Sequence, residues 1–144
     1  MILICIPGDP VGKQSVRVSN RGGFVRKYMP AKTRQYEARC NTEARLSMEL
    51  SGKELITGPV ELKLQVFLPI PKSWSKKKRA AAILGKIVPT KKPDTSNVLK
   101  AVEDGFTGVV WRDDCQVVDH QMTKRFSEEP CVIAIVTPLD LESS

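Results

Sequence analysis

Residues 60–68, Val-Glu-Leu-Lys-Leu-Gln-Val-Phe-Leu, constrain the fold more than any other stretch of the chain. Val60, Leu62, Leu64, Val66 and Leu68 fall on one side, and Glu61, Lys63 and Gln65 on the other. Period-two alternation of this kind predicts a β-strand with one buried face. Three more apolar runs read as its partners: residues 2–6, stopped by Pro7-Gly8-Asp9-Pro10, and residues 115–125 and 131–137, joined by Ser127-Glu128-Glu129-Pro130.

Helical patterns lie between the strands. Thr33 to about Leu50 contains no Gly or Pro, and Thr33 can cap it. Tyr36, Cys40, Ala44 and Ser47 form its apolar stripe, leaving Glu37, Arg39, Glu43 and Arg45 to solvent; Ser51-Gly52 ends it. Ser73 or Ser75 caps a short helix through Lys76–Leu84, with Gly85 as its C-terminal glycine. A further helix opens near Asn97 and ends at Gly105. Arg17-Val18 and Phe24-Val25 read as arms of a basic hairpin or mobile loop around Gly22-Gly23. The expected fold is α/β in the α+β sense: one domain over residues 1–144, a mixed sheet with two or three helices, and a short flexible tail from about residue 139. A chain of 144 residues, 41% hydrophobic and 27% charged, is long enough for such a core.

Several chemistries are excluded. The four cysteines, Cys5, Cys40, Cys115 and Cys131, are widely spaced and lack the pairing of a zinc site or a secreted disulfide framework. Cys5 and Cys131, in apolar runs, read as small buried hydrophobes. Met1–Ile6 is too short for a membrane span and has no basic region before it, so the expected compartment is a reducing cytoplasm. His120 is the single histidine, and no nucleophile elbow, P-loop or dinucleotide-binding glycine signature occurs. Any chemistry therefore rests on carboxylates, lysine and a metal.

Charge is unevenly distributed. Residues 94–119 hold six acids (Asp94, Glu103, Asp104, Asp113, Asp114 and Asp119) and two bases, net −4, whereas the rest of the chain is net +11. An acidic focus in a basic field suits a divalent cation acting on a polyanion. Asp94 before a helix, and Asp113-Asp114 on a strand-like edge, are candidate ligands. Adjacent strand residues face opposite ways, which favours Asp114 over Asp113. Lys100 is one turn beyond the cap, where it can touch a phosphate oxygen or orient a water. Asn97, Lys100 and Asp104 share a helix face. The same residues also fit plain structural roles: Asp94 and Asn97 as caps, Lys100 and Asp104 as a surface ion pair, and Asp113-Asp114 as turn residues.

Lys92-Pro93-Asp94-x-x-Asn97-x-x-Lys100, then Asp104-Gly105, then Asp113-Asp114-x-Gln116-Val117, resembles the RusA family of Holliday junction resolvases of phages and prophages. Ile6–Pro10 with the Lys13–Arg17 stretch, and Leu68–Arg79, resemble further family segments. The resemblance implies a homodimeric, Mg²⁺-dependent endodeoxyribonuclease, with Mn²⁺ as a substitute, acting on four-way DNA junctions and not on membranes. It implies Asp94, Lys100 and Asp114 as catalytic residues and Asp94, Asp113 and Asp114 as metal ligands. Ser96, Asn97, Asp104 and Gln116 are placed around them. Ser96 departs from the family, which has an aspartate there; the neutral hydroxyl removes one charge, leaving a non-catalytic DNA-binding protein as the alternative. Lys13, Arg17, Arg21, Arg26, Lys27, Lys76, Lys77, Lys78 and Arg79 are the expected phosphate contacts, and Phe24 and Trp74 candidate wedges at the branch point.

Overall fold

The computed structural model describes residues 1–144. Strand β4 (Val60–Pro69) is the spine of a four-stranded sheet ordered β1-β6-β4-β5, where β1 is Ile2–Pro7, β5 Val117–Ser127 and β6 Cys131–Pro138. β6 runs antiparallel to both β4 and β1, and β5 runs parallel to β4, so the sheet is mixed. Val60, Leu62, Leu64, Val66 and Leu68 are buried, as their alternation predicts. The parallel β4-to-β5 step needs a crossover. Helices α2 (Lys76–Ile83) and α3 (Thr95–Phe106) lie in it.

Helix α1 (Ala31–Ser51) packs on β1 and α3. Its buried stripe is Thr33, Tyr36, Cys40, Ala44 and Met48. Met48 takes the position expected of Ser47, because the four-residue spacing from Tyr36 outlasts one more turn. Thr33 is not the cap. Pro30 precedes the helix, and the buried Thr33 hydroxyl accepts the Gln14 N–H at 3.2 Å. Gly52, at φ 64°, closes the C-terminus with its N–H on the Glu49 and Met48 carbonyls. Ser75 resolves the alternative at α2: its hydroxyl accepts from Lys78 N at 3.2 Å.

α3 passes through Gly105 instead of ending there. A methyl group at Gly105 would stand 2.4 Å from Cys40 Cβ and 2.8 Å from the Glu37 carbonyl oxygen. This glycine lets α1 and α3 touch. Phe106 and Trp111, rings 5.7 Å apart edge to face, are both fully buried behind it.

Two further expectations are corrected. Cys5 is exposed and Cys131 half-buried, because the register puts both on the sheet face turned away from the helices. The basic hairpin pairs β2 (Arg17–Ser19) with β3 (Arg26–Tyr28), so Phe24 and Val25 belong to its tip, with Phe24 71% exposed. Residues 139–144 form neither helix nor strand. No helix is long and apolar enough to cross a membrane.

Candidate functional site

The motif carboxylates and Lys100 lie on α3 or close to its ends. At its N-terminus, Asp94 is the cap residue, but its side chain makes no capping hydrogen bond. Its backbone carbonyl does the work by accepting from Asn97 and Val98 N–H. The exposed carboxylate is left to face a cleft of about 610 Å³, whose basic lining includes Lys13, Arg17, Lys32 and Lys92. The segment Pro10–Arg17 closes one side of the cleft. Gly12 packs 3.1 Å from the Cβ atoms of both Asn97 and Pro93, measured from where its own Cβ would be, and Lys13 N donates to Asn97 O at 2.9 Å.

The other end of α3 is acidic. The Lys13 side chain runs along the helix to pair with Asp104 and, at 3.4 Å, with Glu37. The Asp104 hydrogen bond raises the lysine pKa most, with both carboxylate charges adding to it. This corrects two expectations. Asp104 pairs with Lys13 rather than Lys100, and Lys13 is committed within the protein instead of free for DNA. Glu37 is half-buried, not a solvated face residue, and burial pushes its pKa up. Glu103 is raised to about 7, first by burial and then by the charges of Asp114 and Asp104, with Lys100 opposing. Lys100 is exposed and makes no ion pair.

Asp113 and Asp114 are not on a strand. Asp113 caps a 3-10 turn over Asp114–Gln116, and its carboxylate accepts the Cys115 N–H at 3.0 Å. Gln116 completes a reciprocal box. Its Oε1 accepts from Asp113 N at 2.8 Å, while its Nε2 donates to the carbonyls of Ile56 and Gly58, both at 2.9 Å. The glutamine thus pins the turn to the segment before β4. Because the backbone turns, the two carboxyls lie close enough for each to feel the other. The hydrogen bond with Asp113 raises Asp114, whereas Asp113, held mainly by the Cys115 N–H, is lowered. The Asp-x-x-Gln spacing is a capping-box signal that the sequence did carry.

Asp114 feels Asp104, and Glu103 feels Asp114. These helix residues lie nine and ten positions beyond Asp94, about 14–15 Å along the axis. No group of three His, Cys, Asp or Glu side chains is set to hold a metal ion, so Asp94, Asp113 and Asp114 are not gathered as a three-ligand cage. The donor chemistry does fit a hard cation. Mg²⁺ commonly takes one or two carboxylates and fills its remaining positions with water and substrate phosphate. Asp113 and Asp114, two neighbouring carboxyls beside further acids, meet that description.

Of the expected phosphate contacts, Lys76, Lys77 and Lys78 are exposed on the first turn of α2. Arg79 is tied back, donating to the Pro71 carbonyl at 3.1 Å. Arg17, Arg21, Arg26 and Lys27 are exposed on the hairpin. Lys32, from the basic stretch that runs into α1, and Lys92, the first residue of the motif, line the Asp94 cleft, a placement the sequence did not indicate.

Residues 7–137 match the family model described as endodeoxyribonuclease RusA. The chain belongs to this family. A relative, the uncharacterized protein YqaN of Bacillus subtilis (strain 168), is 36% identical over 137 residues, 94% of each chain. Family membership supports an endodeoxyribonuclease. The motif positions that carried the resemblance run along α3 from Asp94 through Lys100 to Asp104 and on to the Asp113–Gln116 turn.

Proposed function

We propose that this chain is an Mg²⁺-dependent endodeoxyribonuclease that resolves four-way DNA junctions as a homodimer, in the cytoplasm of a bacterium and on phage or prophage DNA. One observation carries this reading: a basic cleft lies at the Asp94 end of α3, the Asp113-Asp114 pair lies near Glu103 and Asp104 at its other end, and the unpaired Lys100 is on the helix between them.

Lys32, Lys92 and Arg17 bind the DNA backbone and set its path past Asp94. Lys100 presents its ammonium to a phosphate oxygen, where it offsets charge that builds on the oxygen as the diester is attacked. Asp113 and Asp114 would hold Mg²⁺, which supplies polarisation of the phosphate and a lowered water pKa when bound. Gln116 keeps those carboxyls in place through its three hydrogen bonds. A two-fold dimer matches the symmetry of paired cuts in opposed strands.

Ser96 and the lack of a three-ligand cage favour one other reading, a junction-binding protein that does not cut. A synthetic four-way junction separates the two. Wild type is expected to cut with Mg²⁺ and not with EDTA. Asp94→Asn and Asp114→Asn are each expected to lose about a thousandfold in rate, roughly 4 kcal/mol, while still binding. No cutting by wild type, with cutting gained by Ser96→Asp, would establish the non-catalytic reading instead.

A further inference from the structure

A second cavity, of about 580 Å³, adjoins the Asp94 cleft and shares Pro10, Lys32, Lys92 and Pro93 with it. Its size is within the range of small-ligand sites, about 300–1,000 Å³. Its walls are apolar: Leu68 and Phe126 from the ends of β4 and β5, Trp74 before α2, and Val88 from the loop before α3. Trp74 and Phe126 meet edge to face, ring centres 5.1 Å apart, and the Lys78 ammonium lies 4.0 Å from the Trp74 ring centre. Four lysines line it, Lys32, Lys78, Lys91 and Lys92, against one carboxylate, Asp9.

The walls are tied in place. Lys124 Nζ donates to the Lys91 carbonyl at 2.7 Å, and Arg79 and Trp74 N both donate to Pro71 O, at 3.1 and 3.2 Å. Nothing in the nuclease chemistry uses this cavity. An aromatic, proline-walled hollow with a lysine rim has two needs: a flat apolar group inside and anionic groups at its mouth. An unstacked nucleotide supplies both.

We infer that this cavity captures one unpaired DNA base against Trp74 and Phe126, with its flanking phosphates on Lys32 and Lys92. This rests on the DNA-cleaving reading and deepens it. Because Lys32 and Lys92 border both cavities, a base held here fixes which phosphate lies beside Asp94. The pocket then sets the register in which the DNA backbone runs along α3 from Asp94 towards Lys100 and the Asp113-Asp114 pair, and its shape the base preferred there.

The test measures binding without divalent metal, so it does not depend on cleavage. The chain has two tryptophans, and Trp111 is fully buried, so a DNA-dependent emission change reports Trp74. A dye-labelled four-way junction is compared with one carrying abasic sites at the nucleotides flanking the crossover. Wild type is expected to bind the intact junction about tenfold more tightly, with Trp74 emission changing only for the intact DNA. Val88→Trp, which fills the hollow from a 42% exposed position, is expected to bind both junctions equally. Phe126→Leu, which keeps apolar bulk, is expected to cut the preference to about threefold. Equal binding and equal emission change for the two junctions with wild type overturns the base pocket and leaves the nuclease reading standing. A tenfold preference that survives in both variants also overturns it. No binding of either DNA overturns both readings.

Discussion

The two ends of α3 carry opposite charge by different means. Its N-terminal end is open and basic: Asp94 is the cap, and the groups around it are lysines and an arginine on the Pro10–Arg17 strap and at Lys32 and Lys92. Its C-terminal end is fixed and acidic, with Glu103 and Asp104 on the helix, Asp113 and Asp114 opposite, and a single internal ammonium from Lys13. A helix dipole favours anions at the N-terminus and cations at the C-terminus. The N-terminal end therefore adds the dipole to its lysines and attracts phosphate. The acids at the other end oppose the dipole, and no basic residue lies in the last turn of α3 to relieve them. In the proposed nuclease, a bound cation would relieve this repulsion. Lys13 spans the two, with its backbone N–H at Asn97 and its ammonium at Asp104.

The sharpest way to break this comparison uses two glycines. Gly105 lies in the anchored end, with Cys40 Cβ 2.4 Å and a backbone oxygen 2.8 Å from any added methyl. Gly105→Ala is expected to cost about 3 kcal/mol or more, because backbone and a buried side chain must move. Gly12 lies in the strap at the open end, where the added methyl meets two Cβ atoms at 3.1 Å and the neighbours need to give only slightly. Gly12→Ala is expected to cost about 1 kcal/mol in stability and to weaken DNA binding instead. Urea denaturation of both variants tests this. Equal losses would mean that the ends are equally rigid.

How much of this could be read from the residues follows from where the information lies. β4 was legible because alternation is local and nothing competes with it. α2 was legible because Ser75 and Gly85 occupy cap and terminator positions with no tertiary conflict. The end of α3 was not. Gly105 reads locally as a stop, but its lack of a Cβ is used for helix contact, which depends on Cys40, 65 positions away. The motif residues along α3 were legible by resemblance. The Asp113–Gln116 turn was not read as one, because the aspartate pair was placed on a strand-like edge and its cap spacing to Gln116 went unused. That Lys13 would be drawn to Asp104 was not legible, since the two are separated by 91 positions and the pairing appears only when the strap lies along the helix. The burial of Glu37 was hidden for the same reason.

The acidic end can be sharpened by pH. Glu103 has its pKa raised to about 7 from an ordinary 4.5. A carboxyl raised on folding contributes stability that is fully present below its unfolded pKa and is lost as pH rises through the folded value. Wild type is expected to lose stability between pH 4.5 and 7 through this group. Glu103→Gln stays neutral throughout, so it is expected to gain on wild type across that interval. With the group only half-buried, about 1–2 kcal/mol at pH 8 is the expected gain. Thermal melts of the two proteins from pH 4 to 8 check it. Curves that stay parallel would show that neither burial nor the charges of Asp114 and Asp104 hold the Glu103 carboxyl up.

The open end yields the smallest effect and the most diagnostic one. Lys32 and Lys92 line the Asp94 cleft without ion pairs of their own. Each therefore has its full charge available for a phosphate, and each phosphate neutralised releases condensed counterions. Lys32→Ala and Lys92→Ala are each expected to weaken junction binding by about 1 kcal/mol. Each should also lower the slope of log affinity against log salt by about one. Lys13→Ala, by contrast, removes an ammonium already occupied by Asp104 and Glu37, and should leave that slope unchanged. Anisotropy titrations at several salt concentrations distinguish the three lysines. A slope that drops for Lys13 and not for Lys32 or Lys92 would reverse the assignment, because it would make the ammonium paired with Asp104 and Glu37 the one that meets phosphate.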